Sequence, residues 1–352
     1  MKTLMIMAGG TGGHVYPAIA VADYLIAQGW KIVWLCTEGG MENNLIANKP
    51  YDKAVIQMKG VRGKGLLRLL YLPWQLLKAF AQSYRAIQLH QPNVLLGMGG
   101  FAAFPGGVVG KVLAKPLVIH EQNSVAGLTN KVLAKIADRV LVAFPNVLAK
   151  AILVGNPVRA EITAVAAPEI RFAHRTGALK LLVVGGSLGA QALNAIVPLA
   201  LAKIPTATRP QVIHQAGIKQ FDLLKSHYEK AGVVVDARAF IDDMAQEYAM
   251  ADLLICRAGA MTVAELSAAG VASILVPFPF AVDDHQTTNA AYLVAANAAI
   301  LIQQRDLQAE QLADILQDLS REQCLAMAVK ARQLGLPMAT KTVADICTEV
   351  AI

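Results

Sequence analysis

Twice in this chain a short apolar run ends in a cluster of glycines and resumes with helical spacing. Residues 4–8 lead into Gly9-Gly10-Thr11-Gly12-Gly13-His14, and helical spacing follows over 17–25. Residues 179–184 lead into Gly185-Gly186-Ser187-Leu188-Gly189-Ala190. A buried strand that turns through glycine into a helix is the opening unit of a doubly wound parallel sheet. Glycines at that turn let the backbone pass close to a ligand and leave N–H groups aimed at it. A diphosphate or a developing anion suits such a position. The first loop is not a P-loop, because no Lys-Ser/Thr follows the glycines. It does not fit the dinucleotide fingerprint either, since Gly10-x-Gly12 is followed three residues on by Val15. His14 stands where the first strand ends, the ligand side of an open parallel sheet. It reads either as a capping or core histidine, or as a general base for an acceptor hydroxyl.

Further strands are expected at 32–36, 55–58, 94–98, 117–120 and 139–142, with helical patterns such as 75–89 and 129–137 between them. Residues 161–177 carry no strong pattern and read as a linker. Alternation then resumes, with strands at 212–214, 233–235, 253–256, 273–276 and 299–302. Strands alternating with helices imply parallel sheets covered on both faces. With 352 residues the chain can build two cores. The expected organisation is a first Rossmann-like domain over 1–160, a linker over 161–178 and a second Rossmann-like domain over 179–335. A C-terminal helix over 336–352 either finishes the second domain or crosses back to the first. Two such halves facing each other make an interdomain cleft, a usual place for a ligand.

The formal charge of +7, from 32 basic and 25 acidic residues, points to an anionic partner. Only 6% of residues are aromatic and no basic block is laced with them, so nucleic acid is excluded in favour of a phosphorylated substrate or an anionic membrane. Cys36, Cys256, Cys324 and Cys347 are scattered without metal spacing and read as buried thiols of a cytosolic protein. The opening residues read as a strand and a glycine loop rather than as a signal peptide. The uncharged stretches 91–110 and 181–202 are interrupted by Gly, Pro and amides, so neither reads as a membrane span. In 60–85, Arg62, Lys64, Arg68, Lys78 and Arg85 punctuate leucines and Trp74, with a break at Pro73. That pattern suits a surface lying on anionic headgroups, or a helix covering the sheet with ordinary surface cations.

Other motifs keep two readings each. Ser187 can cap a helix or hold a phosphate, or do both. Thr262-x-x-Glu265 matches a capping box, and Glu265 is also placed as a carboxylate for a ribose diol, with Gly259 and Ala260 letting the loop approach the sugar. His120-Glu121-Gln122-Asn123 follows an apolar run and reads as an exposed polar rim or an ordinary loop. Arg159, in Gly-Asn-Pro-Val-Arg, is a surface ion-pair partner or a cation reaching into the cleft. Asp283-Asp284-His285-Gln286 lacks a second ligand group at metal spacing and reads as a hydrogen-bonding set for sugar hydroxyls.

Taken in order, these motifs together with Phe240-Ile241-Asp242-Asp243-Met244 resemble the bacterial MurG family from the first residue to the last. The resemblance implies a GT-B fold and an inverting, metal-independent transfer of GlcNAc, with no cofactor. UDP-GlcNAc is the implied donor. The implied acceptor is the C4 hydroxyl of the muramyl sugar in lipid I, and the product is lipid II for peptidoglycan synthesis. It implies that Thr11, Gly12 and Gly13 lie near the donor diphosphate and sugar, that Asn123 contacts GlcNAc, and that Arg159 and Ser187 hold the nucleotide or its phosphates. Ile241 is implied at the uracil through its backbone. Ala260, Met261, Thr262, Val263 and Ala264 are implied along the donor, Glu265 on the ribose and Gln286 on GlcNAc hydroxyls, with His14 the catalytic candidate. The resemblance further implies a peripheral place on the cytoplasmic face of the membrane and cell-wall synthesis or division proteins as candidate partners. His285 departs from relatives that carry an amide there. Two other readings share the two-domain plan: a UDP-GlcNAc 2-epimerase, which needs no lipid patch or acceptor, and a nucleotide-sugar-binding protein without catalysis.

Overall fold

The computed structural model describes residues 1–58, 66–186 and 189–352, with residues 66–72 described by backbone alone. The chain divides into two compact units, one of Met1–Arg159 with Pro337–Ile352, the other of Ala160–Leu336. In the first, strands β1 (Thr3–Ala8), β2 (Lys31–Thr37), β3 (Asp52–Ile56), β4 (Val94–Gly99), β5 (Leu117–Glu121), β6 (Arg139–Val142) and β7 (Ile152–Leu153) form one sheet in the order 3-2-1-4-5-6-7. In the second, β8 (Lys180–Val184), β9 (Gln211–Gln215), β10 (Asp236–Arg238), β11 (Leu253–Cys256), β12 (Ser273–Leu275) and β13 (Ala299–Leu301) pair in the order 10-9-8-11-12-13. Every pairing is parallel. Central strands are buried end to end, as Leu4, Met5, Ile6 and Met7 are, because helices cover both faces.

Two edge strands sit away from their expected places. β3 spans Asp52–Ile56, not 55–58, since an edge strand buries one face only: Ala54 and Ile56 face the core, while Lys53 and Val55 on the other face are exposed, and Asp52 at the strand's start pairs with Lys31 at 2.7 Å. β10 begins at Asp236, after the apolar triplet 233–235. Val234 of that triplet is exposed, and the triplet follows the left-handed Gly232 that ends the helix Phe221–Ala231. The helix Leu66–His90 runs through Pro73, where the sequence suggested a break.

Residues 160–172 carry two short helices, Ala160–Thr163 and Pro168–Phe172. Arginines at 171 and 175 fasten this part of the chain to the helices Met244–Met250 and Ala260–Ala269 and to the residue before β11. Arg171 donates to the carbonyls of Tyr248 (2.8 Å) and Ala269 (3.1 Å), and Arg175 to Ala249 (2.6 Å) and to the buried Asp252. The last helix, Ala339–Val350, buries Val343, Ala344 and Cys347 in the apolar cluster that holds Val15, Val21 and Leu25 of the helix Gly12–Ile26.

Each unit buries a neutral histidine. His120 donates from Nε2 to the Gly155 carbonyl (2.8 Å) and accepts at Nδ1 from Gln122 Nε2 (3.1 Å). His214 donates from Nε2 to Asn194 Oδ1 (3.1 Å) and accepts at Nδ1 from the Tyr228 hydroxyl (2.9 Å). Loss of solvation pushes His120 down to about 4 and His214 to about 3, from an ordinary 6.5. Above pH 6.5 both folded and unfolded chains keep these rings neutral. As the pH falls below 6.5 only the unfolded chain takes up the protons, so stability drops, by about 2 kcal/mol per histidine by pH 5. Urea unfolding at pH 7, 6 and 5 is expected to show that slope, and His214→Gln to flatten it for the second unit. An unchanged slope would rule out this origin.

Candidate active site

In both sheets the strand order reverses next to the first strand, between β1 and β4 and between β8 and β11. The crevice outside the carboxyl ends of such strands is where doubly wound sheets take ligands. At the first reversal, Gly10 turns the chain with φ 87° and the helix Gly12–Ile26 begins behind Thr11. That helix has no side-chain cap and no acidic residue in its first turn, so its leading N–H groups remain open to an anion. The loop after β4 turns at Gly99 (φ 96°) and Gly100 (φ 86°). A Cβ on Gly100 would fall on the Gly9 carbonyl, and one on Gly99 would stand 3.1 Å from His14 Nε2. Only glycine lets these loops meet.

His14 is half-buried in the first turn of its helix. Its Nδ1 lies 3.0 Å from the Gly9 carbonyl and 3.4 Å from Thr11 Oγ1. A carbonyl can only accept, so Nδ1 carries a proton, and in the neutral tautomer of that kind Nε2 keeps its lone pair. The half-buried His14 ring is thus held against the loop that precedes its helix.

The run after β5 corrects the sequence reading. His120, Glu121 and Gln122 are buried, because β5 extends through Glu121 into the covered part of the sheet; only Asn123 is partly exposed. Glu121 anchors the loop: Oε1 accepts from Asn123 N (3.0 Å), and Oε2 accepts from Gly127 N (3.0 Å) and Asn130 Nδ2 (2.9 Å). Arg159 is exposed and is the last residue of this part of the first unit.

In the second unit every candidate follows the carboxyl end of a strand. After β8, Gly186 (φ 84°) and Gly189 (φ 76°) turn the chain toward the helix Gln191–Lys203; Ser187 lies outside the described residues. Gln215 Nε2 donates to the Gly186 carbonyl at 3.3 Å. After β10, Ile241 is buried beside the helix Met244–Met250, which Asp243 caps by accepting from Gln246 N at 2.9 Å. After β11, the helix Ala260–Ala269 starts behind Gly259 with no side-chain cap. Thr262 lies inside the first turn, so the capping box does not form. Glu265, one turn on, accepts from the buried Tyr248 hydroxyl at 2.9 Å. Ala260 and Val263 are buried, while Met261, Thr262 and Ala264 are half-buried. After β12, Gln286 Oε1 accepts from Phe278 N at 2.9 Å. Among the described residues no group of His, Cys, Asp or Glu is arranged to hold a metal ion.

The exposed face of the helix Leu66–His90 carries Trp74, Leu77, Lys78 and Arg85; its inner face is Ala79, Ser83, Ala86 and Ile87. Arg62 and Lys64 lie outside the described residues, as does the Arg68 side chain. Among the described residues no helix is long and apolar enough to cross a membrane.

Sequence reasoning passed over five residues here. Gly99 and Gly100 repeat the strand-to-glycine device and could have been found by it. Tyr248, Glu121 as an anchor, and Glu42 beneath the first loop carry no signal in spacing; each is recognisable only by what it touches.

Residues 4–142 match the glycosyltransferase family 28 N-terminal domain, and residues 180–349 match the family 28 C-terminal domain. The chain belongs to glycosyltransferase family 28. Its two parallel-sheet units have the GT-B architecture of that family. It is 57% identical, across 99% of this chain and 96% of the relative, to a protein of Burkholderia thailandensis named UDP-N-acetylglucosamine--N-acetylmuramyl-(pentapeptide) pyrophosphoryl-undecaprenol N-acetylglucosamine transferase. A Nitrosospira multiformis protein of the same name is 56% identical, across 99% of this chain and 98% of its own length. The crystal structure of Acinetobacter baumannii MurG superposes with a TM-score of 0.89 at 41% identity, covering 99% of this chain and all of that one.

For a family 28 enzyme the tight seat of His14 has a measurable consequence. Gly99→Ala places a methyl at 3.1 Å from the ring and forces a non-glycine residue to φ 96°. Sugar transfer is expected to fall by about tenfold to 100-fold, with the folded baseline of the circular dichroism spectrum retained. Wild-type rates in Gly99→Ala would contradict this placement of the ring.

Proposed function

We propose that this chain moves GlcNAc from UDP-GlcNAc to the C4 hydroxyl of the muramyl sugar in lipid I, giving lipid II, with inversion at the anomeric carbon. One observation carries the substrate assignment: full-length likeness, above half identity, to transferases named for that reaction. His14 supplies the base. With Nδ1–H held by the Gly9 carbonyl, Nε2 takes the proton from the acceptor hydroxyl as its oxygen attacks the anomeric carbon. The bond from that carbon to the diphosphate oxygen breaks, and the negative charge passes to UDP. A helix N-terminus uncapped by side chains, such as the one behind Gly259, favours that charge.

Donor contacts divide among the loops in this reading. Thr11, Gly12 and Gly13 lie near the diphosphate and sugar, and Arg159 and Ser187 hold the nucleotide or its phosphates. Ile241 meets the uracil through its backbone, Ala260 through Ala264 line the donor, and Glu265, aimed by Tyr248, takes the ribose diol. Asn123 and Gln286 bind GlcNAc hydroxyls. Gln286 suits the task because its oxygen is engaged by Phe278 N, which leaves its NH₂ without a partner among the described residues and able to donate.

Transfer of labelled GlcNAc to a short-chain lipid I analogue, with chelator present, tests the whole reading. A labelled disaccharide-lipid is the expected product, and His14→Ala is expected to reduce it by about 100-fold while UDP-GlcNAc still binds. Conversion of UDP-GlcNAc into its C2 epimer without transfer would replace this reading by an isomerase. Binding without either reaction would leave a nucleotide-sugar-binding protein.

The acceptor is lipid-linked, and the helix Leu66–His90 offers Trp74 and Leu77 exposed on the face that also carries Lys78 and Arg85. Exposed large apolar side chains flanked by cations suit an anionic membrane surface. The chain then works peripherally at the cytoplasmic face. Lys78→Glu with Arg85→Glu is expected to weaken binding to anionic vesicles by about tenfold at low salt and to leave neutral vesicles unaffected. Equal affinity for anionic vesicles would sink the membrane assignment.

A further inference from the structure

Beneath the first glycine loop lies a carboxylate that the donor and acceptor readings leave unused. Glu42, at the start of the short helix Glu42–Leu45, is fully buried. Its Oε1 accepts from Thr37 N (2.8 Å) and Thr37 Oγ1 (2.6 Å), and its Oε2 accepts from Gly10 N (3.3 Å). The space it occupies exists because two residues lack a side chain. A Cβ on Gly9 would come within 2.8 Å of Oε1, and one on Gly40 would overlap the carboxylate. A buried carboxylate held by three donors, in a seat made by two glycines, is a built feature rather than a surface acid turned inward.

The N–H of Gly10 and the carbonyl of Gly9 are the two ends of one planar peptide. The carbonyl end accepts the Nδ1 proton of His14 at 3.0 Å. We infer that Glu42 is a positioning residue for His14, acting through the Gly9–Gly10 peptide. An N–H donated to a carboxylate polarises its peptide and makes the carbonyl at the other end a stronger acceptor. The ring is thereby kept in the Nδ1–H tautomer with Nε2 open. When Nε2 takes a proton, the positive imidazolium faces the negative end of that dipole with the Glu42 charge behind it. A carboxylate bonded directly to a histidine does the same work in other enzymes; here one peptide stands between them. The inference rests on the reading of His14 as the general base.

The test is a double-mutant cycle on the full chain, with UDP-GlcNAc and a short-chain lipid I analogue. Glu42→Gln is expected to lower kcat by about 10- to 100-fold and to change KM for UDP-GlcNAc by less than about twofold. In a His14→Ala background the same substitution is expected to have less than about a twofold effect, because the group it positions is gone. Loss of equal size in both backgrounds, or a raised KM with kcat kept, would show a merely structural role and overturn the inference. Thr37→Val, which removes one donor and keeps the side-chain shape, serves if Glu42→Gln loses its melting transition. A smaller kcat loss that vanishes with His14→Ala is expected there, and an additive loss overturns the inference. Nitrogen-15 spectra of His14 separate this failure from that of the transferase reading. If wild type transfers nothing, the transferase reading falls, while a ring that stays in the Nδ1–H form in wild type and leaves it in Glu42→Gln still supports the relay. Identical spectra overturn it.

Discussion

Two backbones meet where the first sheet reverses its strand order, and the site depends on that contact. β1 and β4 are neighbours whose following helices depart to opposite faces, so their exit loops must share one small space. Gly100 lies so close to Gly9 that any side chain at 100 would strike the Gly9 carbonyl. Glycine is required there by packing. Its chemical consequence is a stretch of bare backbone ending in an uncapped helix, which exposes N–H groups at the carboxyl edge of the sheet. His14 inherits its position from the same contact, with Gly99 on one side and the Gly9 carbonyl on the other. The second sheet repeats the constraint with other partners: a side chain on Gly189 would strike the Ala216 carbonyl that follows β9.

Most of this architecture was legible in the sequence because parallel sheets covered on both faces advertise themselves. β1, β4 and β11 are continuous apolar runs, and the glycine turns after β1 and β8 mark where the helices begin. Edge strands were misplaced for the complementary reason. Half of β3 faces outward, and β10 is written Asp236-Ala237-Arg238, with Arg238 bridging Asp236 and Glu247, so neither has the apolar signature of a central strand. Polarity misled in the opposite sense at 120–122, where burial is sustained by hydrogen bonds. Asn130 donates to the His120 carbonyl and Asn156 to the Gln122 carbonyl, partners 10 and 34 residues away that no local pattern reveals. The Thr262–Glu265 spacing imitated a cap, yet the helix starts at Ala260 and leaves Glu265 to Tyr248.

Buried acids form the hidden part of the design. Glu42, Glu121 and Asp252 all lie out of water, and each collects backbone N–H groups from a segment that must hold its shape: Thr37 and Gly10, Asn123 and Gly127, and Lys180. Taking a carboxylate out of water costs several kcal/mol, and only multiple aligned donors offset it. Asp252 adds Arg175 and Arg321, which join the residues before β8 to the start of β11. A carboxylate is well suited to this work because its two oxygens accept along several directions, whereas an amide would present an N–H₂ to donors that cannot accept it.

The two units use this device differently, and the difference follows from which side chain stands over the glycine turn. In the first, an imidazole lies directly on the braced peptide, so the carboxylate behind it bears on a group that can gain a proton. In the second, the segments after β11 and β12 present a carboxylate and an amide, Glu265 and Gln286, whose orientations are set by Tyr248 and by Phe278 N. Fixed acceptors and donors of that kind recognise hydroxyl groups and change no proton in doing so. One sheet plan, used twice, thus presents an imidazole at one edge and a carboxylate and an amide at the other. The division arises from a handful of side chains, since the strand order and the glycine turns are nearly the same in both.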